Sequence, residues 1–170
     1  MSGDQANRFF PARVTALENV PQACGLLETW YLDEWPAWYG REGPGDARQD
    51  LTACLEFDGR LPRCLVALDE ASTPVGTVSL RKISPGSDQY PGAWLTALLV
   101  PPEFRRSGVG TRLIAAAEQE AGRLGFSEIF STTASAQSLL LRRDWVSLDV
   151  LKAPSGALEI FRKPLEPSHA

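Results

Sequence analysis

Histidine is almost missing from this chain of 170 residues: it occurs once, as His169, next to the C-terminal residue. Covalent acyl transfer through a Ser-His or Cys-His pair needs an imidazole held beside the nucleophile, so that chemistry is not expected. The same scarcity argues against a zinc site, and no metal is expected. Cysteine is scarce too: Cys24, Cys54 and Cys64 lack metal-ligand spacing. An odd number of thiols, with no signal peptide read at the start, predicts reduced, mostly buried cysteines and a cytoplasmic setting. No apolar run approaches the ~20 residues of a membrane span, so no membrane partner is expected. Neither sign of charge dominates: 17 Lys and Arg stand against 21 Asp and Glu, a net charge of −4. No basic stripe alternates with aromatics, and nucleic acid is not an expected partner. Internal repeats and low-complexity linkers are lacking as well. What remains is a globular composition, long enough to bury a core as one domain over residues 1–170.

The most informative stretch runs from Ala93 to Leu124. Ala93 to Val100 (A-W-L-T-A-L-L-V) is a near-continuous apolar run, the pattern of a strand covered on both faces. Pro101 and Pro102 cannot donate to a ladder, so pairing ends there. From Val109, the apolar residues Val109, Leu113, Ala117 and Leu124 recur at helical spacing. Gly125 supplies a left-handed stop, with Phe126 placed for the accompanying apolar contact. Between strand and helix lies R-R-S-G-V-G, in which Arg105, Gly108 and Gly110 form R-x-x-G-x-G. Gly108 and Gly110 let a ligand come close to their backbone. The first helical turn offers amides without intrahelical partners, and the dipole favours an anion there. Arg105 and Arg106 add charge and Thr111 a hydroxyl, so a phosphate or pyrophosphate is the expected ligand. The pattern is neither a dinucleotide G-x-G-x-x-G nor a P-loop.

The run V-P-P-E-F-R-R-S-G-V-G-T-R-L-I resembles the acyl-coenzyme A site of the GNAT N-acetyltransferase superfamily, which carries Q/R-x-x-G-x-G/A after its fourth strand. The resemblance implies acetyl-coenzyme A as co-substrate, its pyrophosphate held by Arg105, Arg106, Ser107, Gly108, Val109, Gly110 and Thr111. It also implies a splayed central strand pair, with the pantetheine arm pairing with the backbone of Leu98, Leu99 and Val100 and one of their amides facing the thioester carbonyl. A second segment, S-T-T-A-S-A-Q-S-L-L-L-R-R-D-W, sits where the family has N-x-x-A-x-x-x-Y-x-x-x-G-F. Thr133, Ala136 and Trp145 match the asparagine, alanine and final aromatic. Leu140 replaces the tyrosine that protonates the leaving thiolate, and Asp144 replaces the glycine.

The remaining elements are read from pattern. Phe9 to Leu17 predicts a first strand. A helix opens at Pro21, with Ala23, Leu26, Leu27, Trp30 and Tyr31 at helical spacing, and gives way to a helix end and loop over Asp33 to Tyr39 because of Pro36. Asp46 is placed to cap a second helix with Leu51 and Leu55 inward. Strands follow at Arg63 to Asp69 and Pro74 to Lys82, then a turn-rich loop from Ser84 to Gly92. After the central helix come a strand at Glu128 to Thr132, a helix at Ser135 to Arg143, and a hairpin of Val146 to Leu151 with Ala157 to Arg162. The order is βααβββαβαββ. The fold class is α/β (α+β), and the resemblance implies a mixed, mostly antiparallel sheet of about seven strands with about four helices.

An alkylammonium near a pKa of ~10 must lose a proton before it attacks. Glu34, ending the first helical region, and Asp88, in the loop before the central strand, are the candidate general bases. Trp30, Trp35, Trp38, Tyr39 and Tyr90 lie in the same two segments. The expected function is transfer of acetyl to a primary amine, on a small molecule or a peptide, in a ternary complex. The alternative is a coenzyme A-binding module with little or no catalysis. A monomer or homodimer is expected.

Overall fold

The computed structural model describes residues 13–154 and 156–166. The strands are β1 (Arg13–Ala16), β2 (Arg63–Leu68), β3 (Pro74–Arg81), β4 (Ala93–Leu99), β5 (Glu128–Thr133), β6 (Val146–Ala153) and β7 (Gly156–Pro164). The α-helices are α1 (Cys24–Glu34), α2 (Pro36–Tyr39), α3 (Ala47–Thr52), α4 (Val109–Arg123) and α5 (Gln137–Arg142). All strands join one 7-stranded sheet in the order β1-β2-β3-β4-β5-β7-β6. Every pairing is antiparallel except that of β4 with β5.

The expected order is present, with one helix more. Pro36 does not lead into a loop. Trp35 takes a non-helical conformation (φ −126°, ψ 59°), as a residue before proline should, and Pro36 then opens the single turn of α2. In the first strand the described residues begin at Arg13; Phe9 to Ala12 lie outside them. Leu17, expected as strand, sits in a short 3-10 turn instead. Asp46 caps α3 as expected, accepting from the Gln49 amide at 3.0 Å. Gly125 is left-handed (φ 95°), and the Phe126 amide reaches back to the Ala121 carbonyl at 3.0 Å.

Two cores flank the sheet. In β2, Leu65 and Ala67 face the core under α4, whereas Cys64, Val66 and Leu68 face that of α1 and α3. The period of 2 explains why a fully covered strand reads as one apolar run. Helix α4 presses on β3 at Gly76, where a β-carbon would lie 2.9 Å from both Leu113 Cδ1 and Val109 Cγ1. That contact sets how closely the start of α4 approaches the sheet.

Acidic groups of α4 reach across its interface with the sheet. Glu118 accepts from Arg143 Nη2 at 2.7 Å, Trp145 Nε1 at 2.8 Å and Lys163 Nζ at 3.1 Å. Burial pushes the Glu118 carboxyl up, but the hydrogen bonds from Arg143, Trp145 and Lys163 outweigh it and hold the group below the usual glutamate range. Glu120 is likewise depressed: burial opposes, and Arg123 and Arg63 prevail. Groups with a lowered folded pKa add stability above their unfolded pKa and lose it as pH falls through the folded value. The melting temperature should therefore be level above about pH 5 and fall below about pH 4. A melting temperature that rises on acidification through that window would contradict the assignment.

Candidate active site

The central strand is interrupted where it matters. Thr77 pairs with Leu99 and Ser79 with Thr96, so two steps of β3 oppose three of β4. The extra residue makes a bulge, with Ala97 at φ 50°. On the other side, β4 pairs with β5 only through Ala93↔Ile129 and Trp94↔Phe130. Ser131 Oγ donates to the Leu95 carbonyl at 3.0 Å as a last link, and no further β4–β5 register pair follows. Beyond it the paired edge is lost and a gap opens beside Thr96 to Leu98.

The loop after β4 is shaped by its own side chains. Arg105 Nε donates to the Val100 carbonyl at 2.9 Å, and its Nη2 lies 3.7 Å from Glu34 Oε2. Ser107 Oγ donates to the Phe104 carbonyl. Arg106 (φ 61°) and Gly108 (φ 84°) are left-handed, and α4 begins directly after. A β-carbon at Gly108 would meet nothing within 4 Å, so the loop faces open space there. Among the described residues, the amides of Arg106, Ser107, Gly108, Val109, Gly110 and Thr111 have no acceptor. Left-handed residues ahead of a helix start whose amides are free suit an anion.

These amides border a cleft of about 660 Å³, lined in part by Leu98, Leu99, Val100, Arg105, Arg106, Gly108, Gly110 and Thr111. Of the expected cofactor residues, Val109 turns its side chain into the core and Ser107 spends its hydroxyl on Phe104. Arg142, from α5, also lines the cleft and was not anticipated from sequence. It forms no ion pair among the described residues, nor does Arg106. The signal for it was available: a basic residue at the end of the helix that follows the Thr133 motif.

A second cleft, of about 440 Å³, meets the first at Leu98, Ser135 and Ala136. Trp35, Trp38 and Tyr39 wall it, and Leu95, Thr96 and Leu140 line it further. Tyr31, Trp35 and Tyr39 are packed ring on ring, with centroids 5.4, 5.2 and 6.2 Å apart pairwise. Thr133 Oγ1 accepts from the amides of Ser135 (3.1 Å) and Ala136 (2.8 Å), doing locally what an asparagine carbonyl would do. Asp144 holds φ 66°, the conformation for which the family uses glycine. Leu140 is buried in the cleft wall and Trp145 in the core.

Arg81, at the end of β3, also lines the second cleft. Its Nη1 donates to Tyr39 Oη at 3.3 Å and lies 3.4 Å from Asp50 Oδ2, to which Tyr39 donates at 2.8 Å. Burial works against the guanidinium charge, but Tyr31, Tyr39 and Asp50 overcome it and Arg81 stays cationic. Two buried polar atoms have no partner among the described residues: Arg81 Nη2 and Thr96 Oγ1. An orphan of this kind costs ~1–3 kcal/mol and is tolerated where a ligand completes it.

The two carboxylates expected as bases are not in this cleft. Glu34 is half-exposed and lines the first cleft against Arg105. Asp88 is exposed and lines neither cleft. Among the aromatics, Trp30 packs into the core of α1, and Tyr90 packs on Phe130 and donates to Asp149 at 3.1 Å. Trp94 stacks on Phe130 at 5.1 Å, inside the sheet. The thiols are free, and burial pushes all three up, Cys54 to about 12, so none is an activated nucleophile. No cluster of metal-ligating side chains exists among the described residues. No helix among them is long and apolar enough to cross a membrane.

A family model described as the acetyltransferase (GNAT) family matches residues 26–141. That span exceeds half of the chain, and the chain belongs to the GNAT acetyltransferase family, whose enzymes use acetyl-coenzyme A as co-substrate. An aminoglycoside 6'-N-acetyltransferase complexed with coenzyme A shares the fold at a TM-score of 0.72 and 15% identity, over 93% of this chain and 99% of its own. A GNAT superfamily phosphinothricin acetyltransferase from Sinorhizobium meliloti, in complex with AcCoA, gives 0.72 at 17%, over 91% and 88%. A spermidine N-acetyltransferase from Vibrio cholerae, in complex with CoA and spermine, gives 0.68 at 17%, over 90% and 95%. At such identities the likeness speaks for the fold. No curated protein matches the chain in sequence.

Proposed function

We propose that this chain passes the acetyl group of acetyl-coenzyme A directly to a primary amine while both are bound. One observation carries the reading: the unpaired amides from Arg106 to Thr111 open on a cleft that runs into the β4–β5 gap. The pyrophosphate would sit on those amides, with Arg106 and Arg142 beside it, and the arm would lie along Leu98 to Val100. The bulge at Ala97 turns strand backbone toward the gap, where an amide can hold the thioester oxygen as charge develops, worth ~3 kcal/mol.

The amine nitrogen attacks the thioester carbonyl carbon, the carbon–sulfur bond breaks, coenzyme A leaves as its thiolate, and the surplus proton on nitrogen passes to that thiolate. Two bound reactants in contact need no enzyme nucleophile, which accords with three unactivated thiols. The ammonium first gives its proton to water, and Glu34, which with Leu98 lines the cleft proposed for the cofactor, receives it through that water. Asp88 is assigned no step. Glu34→Gln should lower kcat about tenfold or more and flatten the acid limb of its pH profile, with Asp88→Asn unchanged. Equal loss in both variants would remove Glu34 from the mechanism. Three free thiols suit a reducing compartment, and we place the enzyme in the cytoplasm, as a monomer or homodimer acting without nucleic acid or membrane.

The test is calorimetry with coenzyme A alongside thiol release from acetyl-coenzyme A over a broad amine panel. Binding together with turnover supports the proposal. Binding without turnover would favour a coenzyme A-binding module, a reading that Leu140 in the thiolate donor's place makes worth testing. Binding of ATP but not coenzyme A would sink both. Leu140→Tyr should keep coenzyme A affinity and raise kcat; a large loss of affinity would mean that the helix carrying Leu140 is misplaced relative to the thiolate donor's position.

A further inference from the structure

We propose that the amine accepted here carries a carboxylate or similar anion, as an amino acid does, and that Arg81 binds that group. The proposal rests on the acetyl-transfer reading above and names the class of acceptor. Arg81 stands in the wall of the second cleft, at the end of a strand whose register against Trp94 fixes its backbone. One edge of its guanidinium is used: Nη1 meets Tyr39 Oη and Asp50 Oδ2. The other edge is not, since Nη2 is buried without a partner among the described residues. The Arg81 side chain is still 20% exposed to the cleft, and a small turn of the guanidinium would bring its unmatched Nη2 to a planar oxyanion there. Thr96 Oγ1, a second orphan in the same cleft, is a further polar atom that a bound ligand can complete.

Charge decides between acceptor classes. No Asp or Glu lines this cleft among the described residues. Asp50, the nearest acid to Arg81, already takes both the Tyr39 hydroxyl and Arg81 on one oxygen. A polyamine or aminoglycoside would set several cations beside a buried arginine with no acid to receive them, which is unfavourable electrostatics. An amine bearing an anion brings its own counter-charge. The aromatic wall of Trp35, Trp38 and Tyr39 then suits an apolar or aromatic body.

The experiment compares amine pairs that differ only in the carboxylate. Phenylalanine is set against phenethylamine and leucine against isoamylamine, with other amino acids, spermidine and an aminoglycoside alongside. Thiol release from acetyl-coenzyme A is read, together with the melting temperature of the coenzyme A-saturated protein. Expected is a preference for the carboxylate member of about tenfold or more in kcat/KM. Arg81→Gln should abolish that ratio, Arg81→Lys should keep part of it, and coenzyme A affinity should be unchanged in both. The wild-type ratio stands by itself if a variant does not fold. Equal or better use of the decarboxylated amines or polycations would overturn the proposal. So would a panel in which no amino acid is either acetylated or raises the melting temperature. Failure to bind coenzyme A at all would strike the underlying reading instead, and calorimetry shows that separately.

Discussion

Gly108→Asp is expected to weaken coenzyme A binding by at least about a hundredfold, near ~2.8 kcal/mol. Gly108 holds φ 84° just before the first residue of α4, and a β-carbon there meets nothing within 4 Å. The fold itself therefore has room for the side chain, and aspartate tolerates left-handed backbone better than most residues. The loss would come from elsewhere. The carboxylate would enter the space into which the loop amides point and repel the diphosphate that they hold in the proposal. Gly108→Asn, similar in shape but neutral, should lose much less, which separates charge from bulk. Calorimetry with coenzyme A measures both. An unchanged Kd for the aspartate variant would mean that the diphosphate lies elsewhere.

Glu118→Ala is expected to destabilise the fold by about 3 kcal/mol. Three donors lose their shared acceptor at once: Arg143, Trp145 Nε1 and Lys163 Nζ. Arg143 and Lys163 keep some access to water, at 29% and 21% exposed, and can re-solvate. The Trp145 indole cannot, being 1% exposed, and is left as a buried unmet donor. For a chain of this size the melting temperature should fall by roughly 6–12 °C. Glu118→Gln retains an acceptor and should cost less. Urea unfolding at neutral pH, with m unchanged, gives the difference directly. A loss under ~1 kcal/mol would show that the three donors find other partners. The variant also bears on function, because Arg143 and Trp145 flank the end of α5, whose Leu139 and Arg142 line the cofactor cleft.

Much of the local structure from β4 to α4 was legible in the sequence because local rules govern it. Two prolines end a strand, glycines permit left-handed backbone, and a helix start leaves amides free. Each depends on neighbours within a turn, and each is seen here between Pro101 and Thr111. The Thr133 motif was legible for the same reason, down to Asp144 occupying a glycine conformation.

The acceptor side was not legible in that way. Glu34 and Asp88 were chosen by segment, and the structure sets one beside Arg105 and leaves the other outside both clefts. The group proposed to bind the acceptor there, Arg81, reads in sequence as the polar end of a buried strand. Its meaning comes from Asp50 and Tyr39, 31 and 42 positions away in the chain, which hold one edge and leave the other bare.

The amino-acid order alone settled the alternation of elements and the glycine-bearing turn that opens α4, since these follow from residue type and near-neighbour geometry. Only tertiary packing decided where β4 parts from β5, which side chains share a cleft and which cation keeps a free edge. Those outcomes depend on distances between segments remote in the chain, and no local propensity encodes them.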